Sequence, residues 1–190
     1  MTSMSESTLH TMTLTAAADA LAQGALTARA LADAQLARIG ATDATIEAWA
    51  YLDPGHVRAE ADRCDAAPRA GRGPLHGIGI GVKDIIATAD QPTQMGSPVY
   101  AGHQPKEDAQ CIERLKRAGG YVFGKAATTA FAFLDPAKTR NPWNPDHTPG
   151  GSSAGPAAAV AAGQVAGAIG TQTNGSVIRP AAYCGVVGFK

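Results

Sequence analysis

Apolar positions in this chain recur with two different periods. Over residues 14–39, Leu21, Leu31, Ala32, Leu36 and Ile39 follow the three- to four-residue spacing of a helix face. Gly24 splits that run, and Thr27 is placed to cap the second helix with its hydroxyl. Residues 46–52 alternate and predict a strand. Residues 54–66 predict a solvated helix with Arg58, Glu60, Asp62 and Arg63 outward, followed by a Pro/Gly/Arg linker over 67–74.

The pattern then changes. Residues 75–86 alternate apolar side chains with glycine, as in a buried strand that other backbone approaches closely. A helix is predicted over 108–118, stopped by Gly119-Gly120, and a buried strand over 121–124. A polar, Pro-broken loop covers 139–149. Further helices are predicted over 157–162, where Pro156 suits a first turn, and over 177–183. Strands are predicted over 165–171 and 186–190. Strands alternating with helices predict an α/β fold with a central sheet. Three regions are expected: a loose tail (1–13), a helical region (14–74) and an α/β core (75–190). Because the chain stops inside an apolar strand pattern, it is expected to be the N-terminal part of a longer protein, poorly stable and weakly active alone.

Composition narrows the function. The chain is 45% hydrophobic and 17% charged, with 16 basic and 16 acidic residues. A core-forming protein with balanced charge is not expected to partner nucleic acid or an anionic membrane. No apolar run is long enough to span a bilayer. Cys64, Cys111 and Cys184 are widely spaced and show no metal-ligand pattern, as expected of reduced cysteines in a cytoplasmic protein.

Candidate chemistry concentrates between Pro149 and Lys190. Ser152 and Ser176 sit in two Gly-rich turns 24 residues apart. One helix and one strand between them return the second turn to the first. Lys83, between Val82 and Ile85-Ile86, would lose hydration at the mouth of a buried strand, and desolvation lowers a lysine pKa toward that of a neutral base. Asp84 beside it could instead hold its charge, which the sequence leaves open. Other readings are weaker. Gly119 to Ala126 imitates a phosphate loop, but its middle is a strand and Ala126 replaces the hydroxyl residue. Gly77, Gly79 and Gly81 do not form a dinucleotide fingerprint. A relay through His147 would leave Lys83 unused.

Gly81-Val82-Lys83-Asp84, Gly150-Gly151-Ser152-Ser153, Thr173-Asn174-Gly175-Ser176, Arg179-Pro180-Ala181 and Cys184-Gly185 together resemble the amidase signature family, over nearly all of the chain from Leu14 onward. Within it, Gly170 to Thr173 and Ser176 to Cys184 look most like malonamidase-type, small-substrate bacterial amidases. The resemblance implies a mixed central sheet flanked by helices, incomplete here at its C-terminus. It implies a triad of Ser176 as nucleophile, Ser152 as bridge after a cis Gly151–Ser152 peptide, and Lys83 as base. Ser153 competes for the bridging role. Thr173, Asn174, Gly175 and Ser176 would supply oxyanion N–H groups. Asn174 departs from the usual glycine, as Ala154 does more mildly. Arg179 would bind a substrate carboxylate, or else serve structurally. The implied reaction is hydrolysis of a small linear amide to carboxylate and ammonia, with no cofactor and no metal. The alternatives are a glutamine-hydrolysing component of a tRNA-dependent amidotransferase and an inactive amidase-like fragment. The expected partner is a small-molecule amide, and a homodimer is left open.

Overall fold

The computed structural model describes residues 6–190. After a 3-10 turn at Glu6–Thr11 come α1 (Leu14–Gln23), α2 (Ala28–Ile46), β1 (Trp49–Tyr51), α3 (Pro54–Ala66) and β2 (Gly79–Lys83). Then follow α4 (Gln110–Arg117), β3 (Tyr121–Ala126), α5 (Ala154–Ala161), β4 (Ala168–Ile169) and α6 (Ile178–Cys184). The sheet order is β1-β3-β2-β4, with β2 parallel to both neighbours and β1 antiparallel to β3. The alternation predicted an α/β fold with a central sheet, and the sheet is mixed and flanked by helices as the family resemblance implied.

Local chemistry sets the helix ends. The Thr13 and Thr27 hydroxyls accept the N–H groups of Ala16 and Ala30, capping α1 and α2, and Gly24 closes α1 in the left-handed region. Asp53 caps α3, where Pro54 fits because a first-turn residue needs no N–H partner.

Several elements differ from expectation. Ile46 ends α2 rather than starting a strand, because Glu47 adopts a left-handed φ of 52° that closes the helix. The strand expected over 75–86 is confined to Gly79–Lys83, since residues 75–77 form a turn tied to Ala118 and Gly119. Only Ala168–Ile169 of the strand expected over 165–171 pairs. The strand expected over 186–190 is absent. No strand among the described residues pairs with it, and Val187 and Phe189 are 98% and 90% exposed. An unpaired strand has no ladder to stabilise it. Within the expected tail, residues 1–5 lie outside the described residues, whereas Glu6–Thr11 forms a 3-10 turn that buries Leu9.

The sheet is packed on both faces. One apolar cluster joins α1, α2, α3 and α5 to Ile78, Ile80, Tyr121 and Phe123, and so runs across residues of both the helical region and the core. A smaller one gathers Val82, Ile86, Ile112 and Val122. This two-sided cover explains why β2 reads as continuous burial with glycine. A Cβ on Gly79 would stand 2.5 Å from the Phe123 ring. Among the described residues, no helix is long and apolar enough to cross a membrane, no His/Cys/Asp/Glu group could hold a metal, and Cys64, Cys111 and Cys184 are free.

α5 is built of small residues because it lies against backbone. The Gly155 N–H donates to the Ala127 carbonyl at 2.8 Å, and a Cβ there would collide with main-chain atoms of Ala127 and Ala48. Gly155→Ala is therefore expected to lower unfolding stability by about 1–3 kcal/mol, the usual cost of overpacking. Urea unfolding with an unchanged midpoint would contradict this packing.

Candidate active site

Parallel pairing sets the site. Val82 of β2 lies beside Ile169 of β4, so both strands run out at the same end of the sheet, with Lys83 the last residue of β2 and Thr171 two residues past β4. Ser152 and Ser153 immediately precede α5, and Ser176 lies two residues before α6. The Ser153 N–H donates to the Ser176 carbonyl at 3.1 Å, which ties the two helix starts together.

Lys83 is wholly buried, and its ammonium donates to Ser152 Oγ at 2.7 Å and Thr171 Oγ1 at 2.8 Å. Desolvation brings its pKa down from 10.5 to about 8. Asp84 does not hold this charge. Alternation turns its side chain to the opposite face, where it lies 3.6 Å from the Lys125 ammonium and accepts the Gln94 N–H. Burial pushes the Asp84 carboxyl up from its ordinary value.

Ser152, rather than Ser153, meets the lysine, and the Gly151–Ser152 peptide is cis. Ser153 is engaged with backbone: its hydroxyl donates to the Thr171 carbonyl at 3.2 Å and accepts the Thr171 N–H at 3.3 Å. Ser176 is half-buried and is brought to this pair through its carbonyl. Among the described residues, no hydrogen bond links its hydroxyl to Ser152.

Thr173 and Asn174 are exposed, and Gly175 is half-buried. The N–H groups of residues 173–176 have no acceptor among the described residues. Asn174 is not in the left-handed region, so the turn makes no demand there that only glycine meets. Arg179 is exposed, and its fork is already used: Nε and one terminal nitrogen donate to the Gly151 carbonyl at 2.9 and 2.6 Å. His147 is an exposed turn residue, its main chain paired with Asn141 and Asn144.

Beside these groups lies a cleft of about 250 Å³ whose lining includes Thr129, Phe133, Leu134, Gly151, Arg179 and Tyr183. A larger groove of about 860 Å³, with Leu14, Val160, Val165 and Phe189 in its walls, reaches Ser153 but not Lys83, Ser152 or Ser176. The smaller cleft likewise has none of these three in its lining, but it reaches Gly151, on the N-terminal side of Ser152, and Arg179.

Sequence reasoning missed two contributors. Thr171 is the second acceptor on Lys83, and the parallel strand ends could have pointed to it. Gln172 Oε1 accepts the N–H groups of Val177 and Ile178 at 2.8 and 3.0 Å and so fixes the start of α6. Its partners lie only five and six residues along the chain, but a glutamine at that spacing matches no standard capping pattern.

Comparison with known proteins places this geometry. A family model described as Amidase matches residues 30–190. The chain is 47% identical over 190 residues to a component of the glutamyl-tRNA(Gln) amidotransferase of Chloroflexus aurantiacus, covering 96% of this chain and 39% of that protein. It superposes on the peptide amidase of Stenotrophomonas maltophilia with a TM-score of 0.86 at 38% identity, over 93% of this chain and 39% of that one. For the corresponding component of the Thermotoga maritima glutamyl-tRNA(Gln) amidotransferase the TM-score is 0.76 at 31% identity, over 96% and 38%. The chain thus spans about two fifths of the length of the curated relatives it matches.

The lysine environment is open to direct measurement. The Lys83 ammonium is expected to titrate near 8 by lysine side-chain NMR, its signal assigned by loss in Lys83→Ala. Thr171→Val removes an acceptor that favours the charged form, so the midpoint should fall further. A Lys83 that stays protonated beyond pH 10 would refute this picture.

Proposed function

The chain belongs to the amidase family, and on that premise we propose that the protein hydrolyses the carbon–nitrogen bond of a small linear amide through a serine acyl-enzyme. The observation that carries this reading is a buried Lys83 ammonium that, among the described residues, faces two hydroxyls and no carboxylate. At pH 7 a lysine with a pKa near 8 is neutral in roughly a tenth of molecules, a usable fraction for a general base.

Neutral Lys83 takes the Ser152 proton, and Ser152 takes the proton of Ser176 as Ser176 Oγ forms its bond to the amide carbon. The tetrahedral oxygen then bears the charge. Residues 173–176 support this step, because their N–H groups have no acceptor among the described residues and can turn to an oxyanion. As the carbon–nitrogen bond breaks, the relay returns the proton to the departing nitrogen, which otherwise leaves poorly. Water attacks the acyl carbon by the same route, releasing carboxylate and free Ser176. Arg179 serves this reaction by gripping the Gly151 carbonyl, which holds the peptide that presents Ser152. A cytoplasmic setting fits the three free cysteines.

A second reading has its own support. The 47% identity to an amidotransferase component favours glutamine as the amide, with ammonia passed to a partner rather than released. Both readings use the same chemistry at Ser176. Ammonia release from simple amides without added partners favours the first, and dependence on glutamine and further protein partners favours the second.

Ser176→Ala should abolish fluorophosphonate labelling and lower kcat by roughly 10³-fold or more in an amide panel that includes glutamine and malonamate. Lys83→Ala should keep a small rate that rises with pH. In the wild type, log kcat should climb with unit slope below pH 8 and level above it, since the base acts deprotonated and its pKa is about 8. Wild-type rates in either variant would sink the triad assignment.

A further inference from the structure

We propose that Lys125 is a positioning residue: a built-in cation whose ammonium, caged by five oxygens, fixes the loop that follows Lys83 and, through it, the cleft wall beside Ser152. Its catalytic consequence rests on the amide-hydrolysing reading, whereas the cage does not.

Lys125 is fully buried on β3. Four oxygens lie within hydrogen-bonding distance of its three N–H groups: the Ile86 carbonyl at 3.0 Å, Thr88 Oγ1 at 3.1 Å, the Pro92 carbonyl at 3.1 Å and Thr93 Oγ1 at 2.5 Å. Asp84 Oδ1 completes the shell at 3.6 Å. Four neutral oxygens and one carboxylate converging on a point form a site of the kind that holds a hard cation. Here the chain supplies the cation itself. An apolar side chain could fill the volume but would remove the shared donor, leaving the Ile86 carbonyl only the Thr93 hydroxyl and Asp84 Oδ1 only the Gln94 N–H.

The caged loop begins and ends against Asp84, which follows Lys83. The Met95 N–H donates to the Asp84 carbonyl at 2.9 Å, and the Gln94 N–H to its carboxylate at 3.1 Å. The Met95 carbonyl in turn accepts the Phe131 N–H at 2.8 Å. That segment reaches the bridging serine, since the Thr128 hydroxyl and the Thr129 N–H both donate to the Ser152 carbonyl, at 3.2 and 3.3 Å. Hydrogen bonds therefore run from the Lys125 cage to both partners of the Lys83–Ser152 contact. Removing Lys125 alone leaves the buried Asp84 carboxylate without its counter-ion, which costs stability, so the positioning role is read from kcat against KM at a temperature where the variant is folded.

The test uses Lys125→Met and Lys125→Ala in the protein. Lys125→Met should lower kcat about tenfold or more while KM changes less than about threefold. In Lys125→Ala, n-propylammonium replaces the three missing carbons and the charge. It should raise the melting temperature by about 3 °C or more and recover turnover, whereas n-propanol should do neither. A Met variant with wild-type kcat overturns the positioning role. Equal rescue by propanol, or no response to propylammonium, overturns the cage. If Lys125→Ala does not fold, the kcat and KM of Lys125→Met decide. If the wild type hydrolyses no amide and Ser176 is not labelled, the functional reading fails, and the cage is still judged by the melting response.

Discussion

An ammonium taken out of water with only hydroxyl oxygens to receive it sets the terms for this whole end of the sheet. Lys83 ends a strand whose five residues are all buried, and its two acceptors come from segments far away in sequence. A carboxylate at that position would hold the proton and end any use of the amine as a base. Hydroxyls stabilise the charge less, so desolvation prevails and the pKa falls to about 8. Strand pairing, the small-residue helix and the two serine turns are arranged so that this environment closes around one nitrogen atom.

Closing it requires backbones to approach more tightly than most side chains allow. Gly79 lies under Tyr121 and Phe123, and Gly155 lies against Ala48 and Ala127. The starts of α5 and α6 are tied by the Ser153–Ser176 main-chain bond, and Arg179 adds a second tie at the Gly151 carbonyl. The two serine turns are thereby one rigid piece of backbone rather than two loops. A rigid piece suits the proposed chemistry, which tolerates little misplacement of its reacting groups.

What could be read from the sequence follows from range. α3 is found where the charged face over residues 54–66 predicts it, and the Gly24/Thr27 boundary between α1 and α2 is set by two residues acting on their own neighbours. The Gly-flanked serines and the lysine between apolar residues were visible for the same reason. Long-range pairing was not. The strand expected at residues 186–190 had the right residues but found no partner, and residues 165–171 kept only the two that meet β2. Asp84 shows the same limit on the partner side: alternation turns it away from Lys83, but the ammonium it then faces, that of Lys125, lies 41 positions along the chain. Thr171 was missed because its partner is set by tertiary contact, and Gln172 because its local bond follows no standard capping spacing.

The two buried lysines show how much the partner decides. Val82 pairs with Lys125 and Lys83 with Ala126, so alternation sends the two ammonium groups to opposite faces of adjacent strands. Burial lowers both to about 8. Lys83 meets hydroxyls that can pass a proton onward. Lys125 meets two carbonyls, two threonines and a carboxylate, and its proton has nowhere to go but among acceptors that hold it. Equal pKa values therefore do not mean equal roles. Asp84 makes the division sharper, for it follows one lysine in sequence yet faces the other in space. Among the described residues, that leaves Lys83 the one buried amine without a counter-ion. One residue of strand register separates an ammonium that faces only hydroxyls from one that faces a carboxylate.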